Sequence, residues 1–383
     1  MLSNGFRSAG RVLSFFAVFA IVHASVFAQC VTPPSGMVNW WTADNHTFDI
    51  IGGNHGTLQG GAGFGAGQVA QAFNFDGIDD YVEVAHDPDA AFNFDGSFTI
   101  DAWIFLESTP NNLEFAPIVS KWDDVPEGVD NQRNWFLSAT NNVGLRLRCD
   151  VSSNGFFGIG DSTRVFSATL LTLNTWTHTA CVFNAADASV TLYINGQPAG
   201  AAGVFNSNVT DPFDNDRPVL IGAGDLGGNE RMFFDGRIDE VELFDRAVTE
   251  PEILSIFNAG ASGKTIPIVI DIKPGDDGPN PINLKSKGKT PVAVLSTETF
   301  DATTMDVGSI RFAGAAVNMK NNGTFHASFE DVNADGLLDL VLHFNTQDLD
   351  DLDDSSTEAI LSGSTENGRC VSATDSIKIV PST

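Results

Sequence analysis

The stretch Asp331-Val332-Asn333-Ala334-Asp335-Gly336-Leu337-Leu338-Asp339 carries the most specific chemistry in the chain. Oxygen-bearing side chains recur at its first, third, fifth and ninth positions, and Gly336 at the sixth permits a tight turn. Leu337 at the seventh offers a backbone carbonyl. Calcium takes about six to eight hard oxygens at this kind of spacing. The twelfth position is Leu342, where a helix–loop–helix calcium site has Glu. Leu338, Leu340, Leu342 and Phe344 then alternate as a strand does, so the loop is expected in β-structure with Asp331, Asn333, Asp335, Leu337 and Asp339 as ligands. The competing reading is an acidic turn that binds nothing, in which three carboxylates would crowd without a cation. The downstream run Asp348, Asp350, Asp351, Asp353 and Asp354 reads as a solvated loop.

Other motifs are absent or bland. There is no HExxH helix, no GxSxG elbow and no Walker loop. The four cysteines form no CxxC pair, which argues against zinc. Cys149 shares a strand face with Leu145 and Leu147, and Cys181 shares one with Phe183. A Cys149–Cys181 bridge is therefore the first expectation among the three pairings open to four cysteines. Trp122, in Ser120-Lys-Trp-Asp123, is the most loop-like tryptophan and the candidate for stacking on a sugar, although core packing is the commoner fate of Trp.

These groups must be positioned by a chain of 383 residues, enough for two or three domains, with a formal charge of −29. That charge repels nucleic acid and anionic membranes, and suits cations, basic partners or neutral sugars. Residues 1–28 read as a signal peptide. Arg7 and Arg11 precede an apolar stretch too short to span a bilayer with confidence, and Val26-Phe27-Ala28 suits cleavage before Gln29. No later stretch is apolar enough to span, so an exported chain with no membrane segment after cleavage is expected.

From 38 to 248 the pattern is short strands between turns. Phe98 to Phe105 is apolar on both faces, the mark of a strand buried on both sides. Val190 to Ile194 alternates into Asn195-Gly196, a hairpin signal. Thr249, Pro251 and Glu252 begin a helix and Gly260 ends it. Ala261 to Lys264 reads as a linker, and Gly52 to Gly67 as a surface turn. A second β-rich domain is expected over 265–383, with strands at 266–272, 291–295 and 376–380.

Val38-Asn-Trp-Trp41, Ala72-Phe-Asn-Phe-Asp-Gly77, Asp80-Tyr-Val-Glu-Val84, Phe98-Thr-Ile-Asp-Ala-Trp103, Trp176-Thr-His178, Leu192-Tyr-Ile-Asn-Gly196 and Gly236-Arg-Ile-Asp-Glu-Val241 occur in one order. Together they resemble the laminin G-like members of the concanavalin A-like lectin/glucanase superfamily, over about residues 30–260. The resemblance implies an all-β chain: a jelly-roll sandwich over 29–262, followed by the smaller β-rich domain. It also implies one calcium at the sandwich rim, for which Asp76 and Asp79, beside Asp80, are the candidates, with Asp239 as a possible partner. Asx-turn capping by the same residues is the alternative.

Glucanases of this superfamily carry Glu-x-Asp-x-(x)-Glu on one strand. Here Arg237-Ile-Asp239-Glu240-Val-Glu242 puts a guanidinium at the nucleophile position, so no catalysis is expected. Glu240 and Glu242 remain the residues of a divergent glycosidase, because side chains two apart share a strand face. The principal expectation is a secreted, calcium-stabilised module that binds an extracellular glycan or surface protein. A structural or adhesive surface component is the alternative. Ile270-Asp-Ile-Lys-Pro-Gly275, Pro279 to Gly288 and Thr374 to Ile379 resemble a recurring C-terminal module of secreted bacterial proteins, which adds no chemistry.

Overall fold

The computed structural model describes residues 30–88, 92–110, 115–123, 132–142, 144–156, 160–205, 208–225, 231–275 and 278–381. The segment read as a signal peptide lies outside them. Two sheets pack face to face through the first part of the chain. One has eight strands among the described residues, with Thr177–Asn184, Phe98–Leu106 and Asp235–Phe244 adjacent at its centre. The other has ten, with Ser162–Leu170, Arg146–Gly155, Gln132–Thr140 and Phe115–Asp123 side by side.

Alternation explains the sandwich. Phe98, Ile100, Ala102 and Ile104 from one sheet meet Trp135, Leu137, Leu147, Cys149 and Val151 from the other in one core. The opposite face of the smaller sheet is buried too. Helix Glu250–Ala259 covers part of it, packing Ile253 and Ile256 on Ala180, Val182 and Phe244. The helix starts where Thr249 donates its backbone amide to the Glu252 carboxylate at 2.9 Å. The Asn195-Gly196 hairpin forms, with both residues at positive φ (51° and 71°), as a primed turn demands.

Cys149 and Cys181 pair, stapling the two sheets at their centres. A second bridge, Cys30–Cys370, joins the start of the described chain to the last strand, Cys370–Ile379. The later part of the chain has its own core, around Ile272, Val292, Val294, Phe312, Leu340, Leu342 and Phe344. It sits between a six-stranded and a four-stranded sheet.

Three sequence expectations need correction. The run expected as one strand over 266–272 is split between Ile266–Pro267, which joins the six-stranded sheet, and Val269–Ile272, which joins the other. The 52–67 segment contains two strands, Gly56–Gln59 and Gly63–Ala66. The linker is not free: Lys264 is 1% exposed, and backbone bonds between Val31, Gly263 and Thr265 hold its flanks.

Candidate functional site at the sandwich rim

Strand Gln71–Asp76 ends in a turn through Gly77 to Asp80. The turn folds tightly because Asp76 Oδ1 accepts the Ile78 amide at 2.8 Å, and Asp80 Oδ2 accepts the Asp76 amide at 3.0 Å. Gly77 has φ 73°, and a Cβ there would lie 2.7 Å from that of Asp235. Only glycine lets the two chains approach so closely. The turn gathers carboxylate oxygens of Asp76, Asp79 and Asp80 within 4.8 Å of one another. Asp235 lies directly opposite Asp76 in the sheet. Like charges facing each other across strands repel, and a cation relieves that. The set is all hard oxygen, with Asp76 and Asp79 exposed and Asp80 buried, and it could hold a hard cation.

Beside the acids lies a cavity of about 370 Å³, lined by Asp76, Ile78, Thr109, Phe115, Phe233 and Asp235 among others. Ile78, 71% exposed, stands at its mouth. Carboxylates, hydroxyls and aromatic edges around one cavity can hold a polyhydroxyl ligand, with hydroxyls on the acids or their cation and apolar faces on the rings.

The second-domain loop is built as a turn that its own side chains cap. Asp331 accepts from the amides of Asp335 and Gly336, both at 3.1 Å, and Asp335 accepts from Leu337 at 2.8 Å. Asn333 donates to Asp335 Oδ2 at 2.9 Å. Asp339 is set apart from these. It is fully buried, and its two oxygens accept the amides of Ser296 and Val332, each at 2.9 Å. Asp331, Asn333 and Asp335 thus sit together on the exposed side, and Asp339 serves as an internal brace.

The other expectations fare differently. Trp122 is 4% exposed, with Phe136 at a centroid distance of 5.9 Å and the Arg133 guanidinium over its ring. It is a packing residue, correcting its reading as a sugar platform. Asp239 is fully buried and accepts the Val69 amide at 2.9 Å, away from the rim acids.

Glu240 and Glu242 are fully buried on the outer face of the smaller sheet. The strand is irregular between Asp239 and Glu242, and Glu240 has φ 52°. This bulge re-aims the Glu240 side chain. Its carboxylate meets Arg369 at 2.6 Å and Lys264 at 3.1 Å, and Lys264 also contacts Glu242. Burial would raise Glu240, but Arg369 and Lys264 outweigh it and hold the group below the usual range. Burial pushes Glu242 well up, with Lys264 opposing. On the outer face of the larger sheet, Asp150 is fully buried and clamped between Arg148 and Arg164.

Nothing local in the sequence announced Lys264, Arg369, Asp44 or the Cys30–Cys370 bridge. Arg369 and the Cys30–Cys370 bridge join residues far apart in the chain, and Lys264 and Asp44 lie in plain connecting segments. The one available signal was an apolar-flanked acidic strand, 237–242, too rich in carboxylates to be buried without cations from elsewhere.

A two-sheet jelly roll with an acidic rim turn defines a class of β-sandwich recognition and hydrolase scaffolds. Residues 76–254 match the family model described as concanavalin A-like lectin/glucanases superfamily, the superfamily that the sequence motifs resemble. No curated protein matches the chain. Among solved structures, the fourth domain of an extracellular arabinanase from Geobacillus stearothermophilus, in complex with arabinotriose, is similar at 15% identity. The match covers 57% of this chain and 96% of that one, with TM-score 0.42. The binding domain of Paraclostridial Mosquitocidal Protein 1 is similar at 14%, over 90% and 87%, with TM-score 0.45. A heptameric pentraxin from Limulus polyphemus is similar at 15%, over 45% and 80%, with TM-score 0.31. At these scores none of the three bears on what this chain binds.

Proposed function

We propose that the protein is a secreted, non-catalytic module that recognises an extracellular glycan, with calcium holding the rim turn at Asp76, Asp79 and Asp80. The observation carrying this reading is the contrast between two acid groups. Glu240 and Glu242, which a glycosidase would need exposed, are sealed beneath Lys264 and Arg369. A carboxyl group needs access to the anomeric centre to act as nucleophile or acid. Of the rim acids, by contrast, Asp76 and Asp79 are exposed, and Asp76 lines an aromatic-edged cavity. A calcium there would neutralise the crowded carboxylates and offer open coordination positions to ligand hydroxyls. Asp331, Asn333, Asp335 and the Leu337 carbonyl would hold a second, structural ion. The two disulfides suit an oxidising compartment, and no described helix is long and apolar enough to cross a membrane.

A glycan array read with calcium and with chelator tests the proposal. Calcium-dependent signal that Asp76→Asn and Asp79→Asn both abolish is the expected outcome. Silence under both conditions would favour the structural or adhesive reading suggested by the acidity and the second domain. Polysaccharide hydrolysis by the purified protein would overturn the non-catalytic assignment, and its loss in Glu240→Gln or Glu242→Gln would assign it to those residues.

A further inference from the structure

The seam between the two domains concentrates charge that glycan recognition at the rim does not use. Asp239, Glu240 and Glu242 from strand Asp235–Phe244 are fully buried there, as is Asp101 from Phe98–Leu106. Asp44, from the loop after Met37–Trp41, has a side chain 12% exposed and lies 3.2 Å from Arg369. Facing these five carboxylates are Lys264 from the linker and Arg369 from the second domain, each with a side chain 2% exposed. His178 of strand Thr177–Asn184 pairs with Asp101 at 2.9 Å, and burial and the nearby Arg369 charge hold His46 down to about 4, so it stays neutral above mild acid. The indole of Trp40 lies under both cations, at 5.2 Å from Lys264 and 5.7 Å from Arg369. Across the seam's exposed margin His55 approaches Glu298 at 3.8 Å. Four buried carboxylates and the half-buried Asp44 outnumber the two permanent cations that face them. Excess buried charge of one sign is resolved by binding protons.

We propose that this seam is a proton-loaded lock: the second domain stays docked while Asp239 and Glu242 hold protons, and releases as they ionise at alkaline pH, the Cys30–Cys370 bridge keeping the parted domains tethered. For three of the acids burial acts in one direction, against the nearby cations. Burial raises Asp239 well above its ordinary value, and Glu240 beside it adds to that. Burial raises Glu242, Asp101 and Glu240 adding and Lys264 opposing. Burial likewise pushes Asp44 up to about 6, against Arg369. For each of these acids the docked state binds more protons than the undocked one between the ordinary and the raised pKa. Docking is therefore strongest in mild acid and weakens as pH rises through that window, from 3.8 to about 6 for Asp44 and further for the other two. Glu240 works the other way, because its partners hold it low. Its contribution is lost only as the solution becomes strongly acidic.

Lys264 is itself the reporter, being a buried trypsin site, with exposed Lys287 as the internal standard. The full chain with both disulfides intact is digested between pH 6.5 and 9, and cleavage at Lys264 is expressed relative to Lys287. The ratio is expected to climb with pH, by up to about tenfold per pH unit for each proton released on opening. Small-angle scattering should show a larger radius at pH 9, with the circular dichroism of both domains retained. Glu242→Gln, which stays neutral at every pH, should flatten the climb, and Asp239→Asn should do so independently. A flat ratio in the wild type overturns the lock, and so does a climb equally steep in whichever of the two variants folds.

Discussion

Replacing Lys264 by Met isolates what the buried cation contributes. Its ammonium lies 3.1 Å from Glu240 and in contact with Glu242, and it sits over the Trp40 ring. Removing one partner of a buried ion pair typically costs about 3–5 kcal/mol, because the other charge is left unpaired. Two features place this case near the lower end. Glu242, whose pKa burial raises, is not left as a stranded anion, and Glu240 keeps Arg369 at 2.6 Å. A loss of about 3 kcal/mol corresponds to a fall in Tm of about 6–12 °C in a domain of this size. Differential scanning calorimetry at pH 7 would compare wild type, Lys264→Met, Glu242→Gln and the double variant. The double variant should lose little more than Lys264→Met alone, since a Glu242 that already holds its proton is not stranded opposite the methionine. Two results would refute this reasoning: a Lys264→Met protein within about 1 kcal/mol of wild type, or a double variant markedly more stable than Lys264→Met, the mark of an ionised Glu242.

Three further outcomes are expected. Terbium luminescence should report two ion sites, with Asp79→Asn removing one and Asp335→Asn the other, and a chelator should lower Tm in the wild type. Trp122→Ala should lower stability by about 3–5 kcal/mol in denaturant titration, as for other buried tryptophans, with no selective loss of glycan signal in variants still folded. Replacing Cys149 and Cys181 together by Ala should cost about 3–4 kcal/mol, the loop-closure value for a sequence separation of 32. That change should leave the rim cavity's ligand affinity intact at low temperature.

Much of the scaffold was legible because its signals are local. The two-faced apolar run at Phe98 to Phe105, the Asn195-Gly196 turn and the helix opened by Thr249 and Glu252 each follow from residues within one short window, and each stands where expected. The Cys149–Cys181 pairing followed from strand faces, since both sulfurs lie on inward positions of facing sheets. The site was legible only in composition. Spacing identified Asp331, Asn333 and Asp335 as neighbours on a turn, but it assigned Asp339 to the same cluster. In the fold Asp339 belongs to the following strand, Asp339–Asn345, and its carboxylate is drawn inward by amides from two other segments. Trp122 failed for a related reason. A tryptophan flanked by Lys and Asp reads as exposed, yet it lies on strand Phe115–Asp123, where Lys121 is also fully buried, its ammonium bonded to Asn215 and the Arg217 carbonyl.

The acidic strand shows why function on this scaffold cannot be read from carboxylate spacing alone. Glu240 and Glu242 have the two-residue spacing that would put acids side by side, and they do converge, on one lysine. What decides their chemistry is the face they occupy and what covers it. The sandwich core takes Ile238, Val241 and Leu243 from the same strand. The acids therefore point away from the core, onto the face that the helix, the linker and the second domain cover. Buried there among cations from the linker and the second domain, they hold two domains together, and no substrate can reach them. The carboxylates left free to meet a ligand include those at the strand end, where the Gly77 turn brings Asp76 and Asp79 to the solvent beside Asp235 and keeps Asp80 buried beneath them as the brace of the turn. The proposed recognition at the rim and the ion pairing at the seam would then be two uses of the same surplus of acid in a chain of net charge −29. Which use each carboxylate serves is set by whether a cation of the protein or one from solution is within reach.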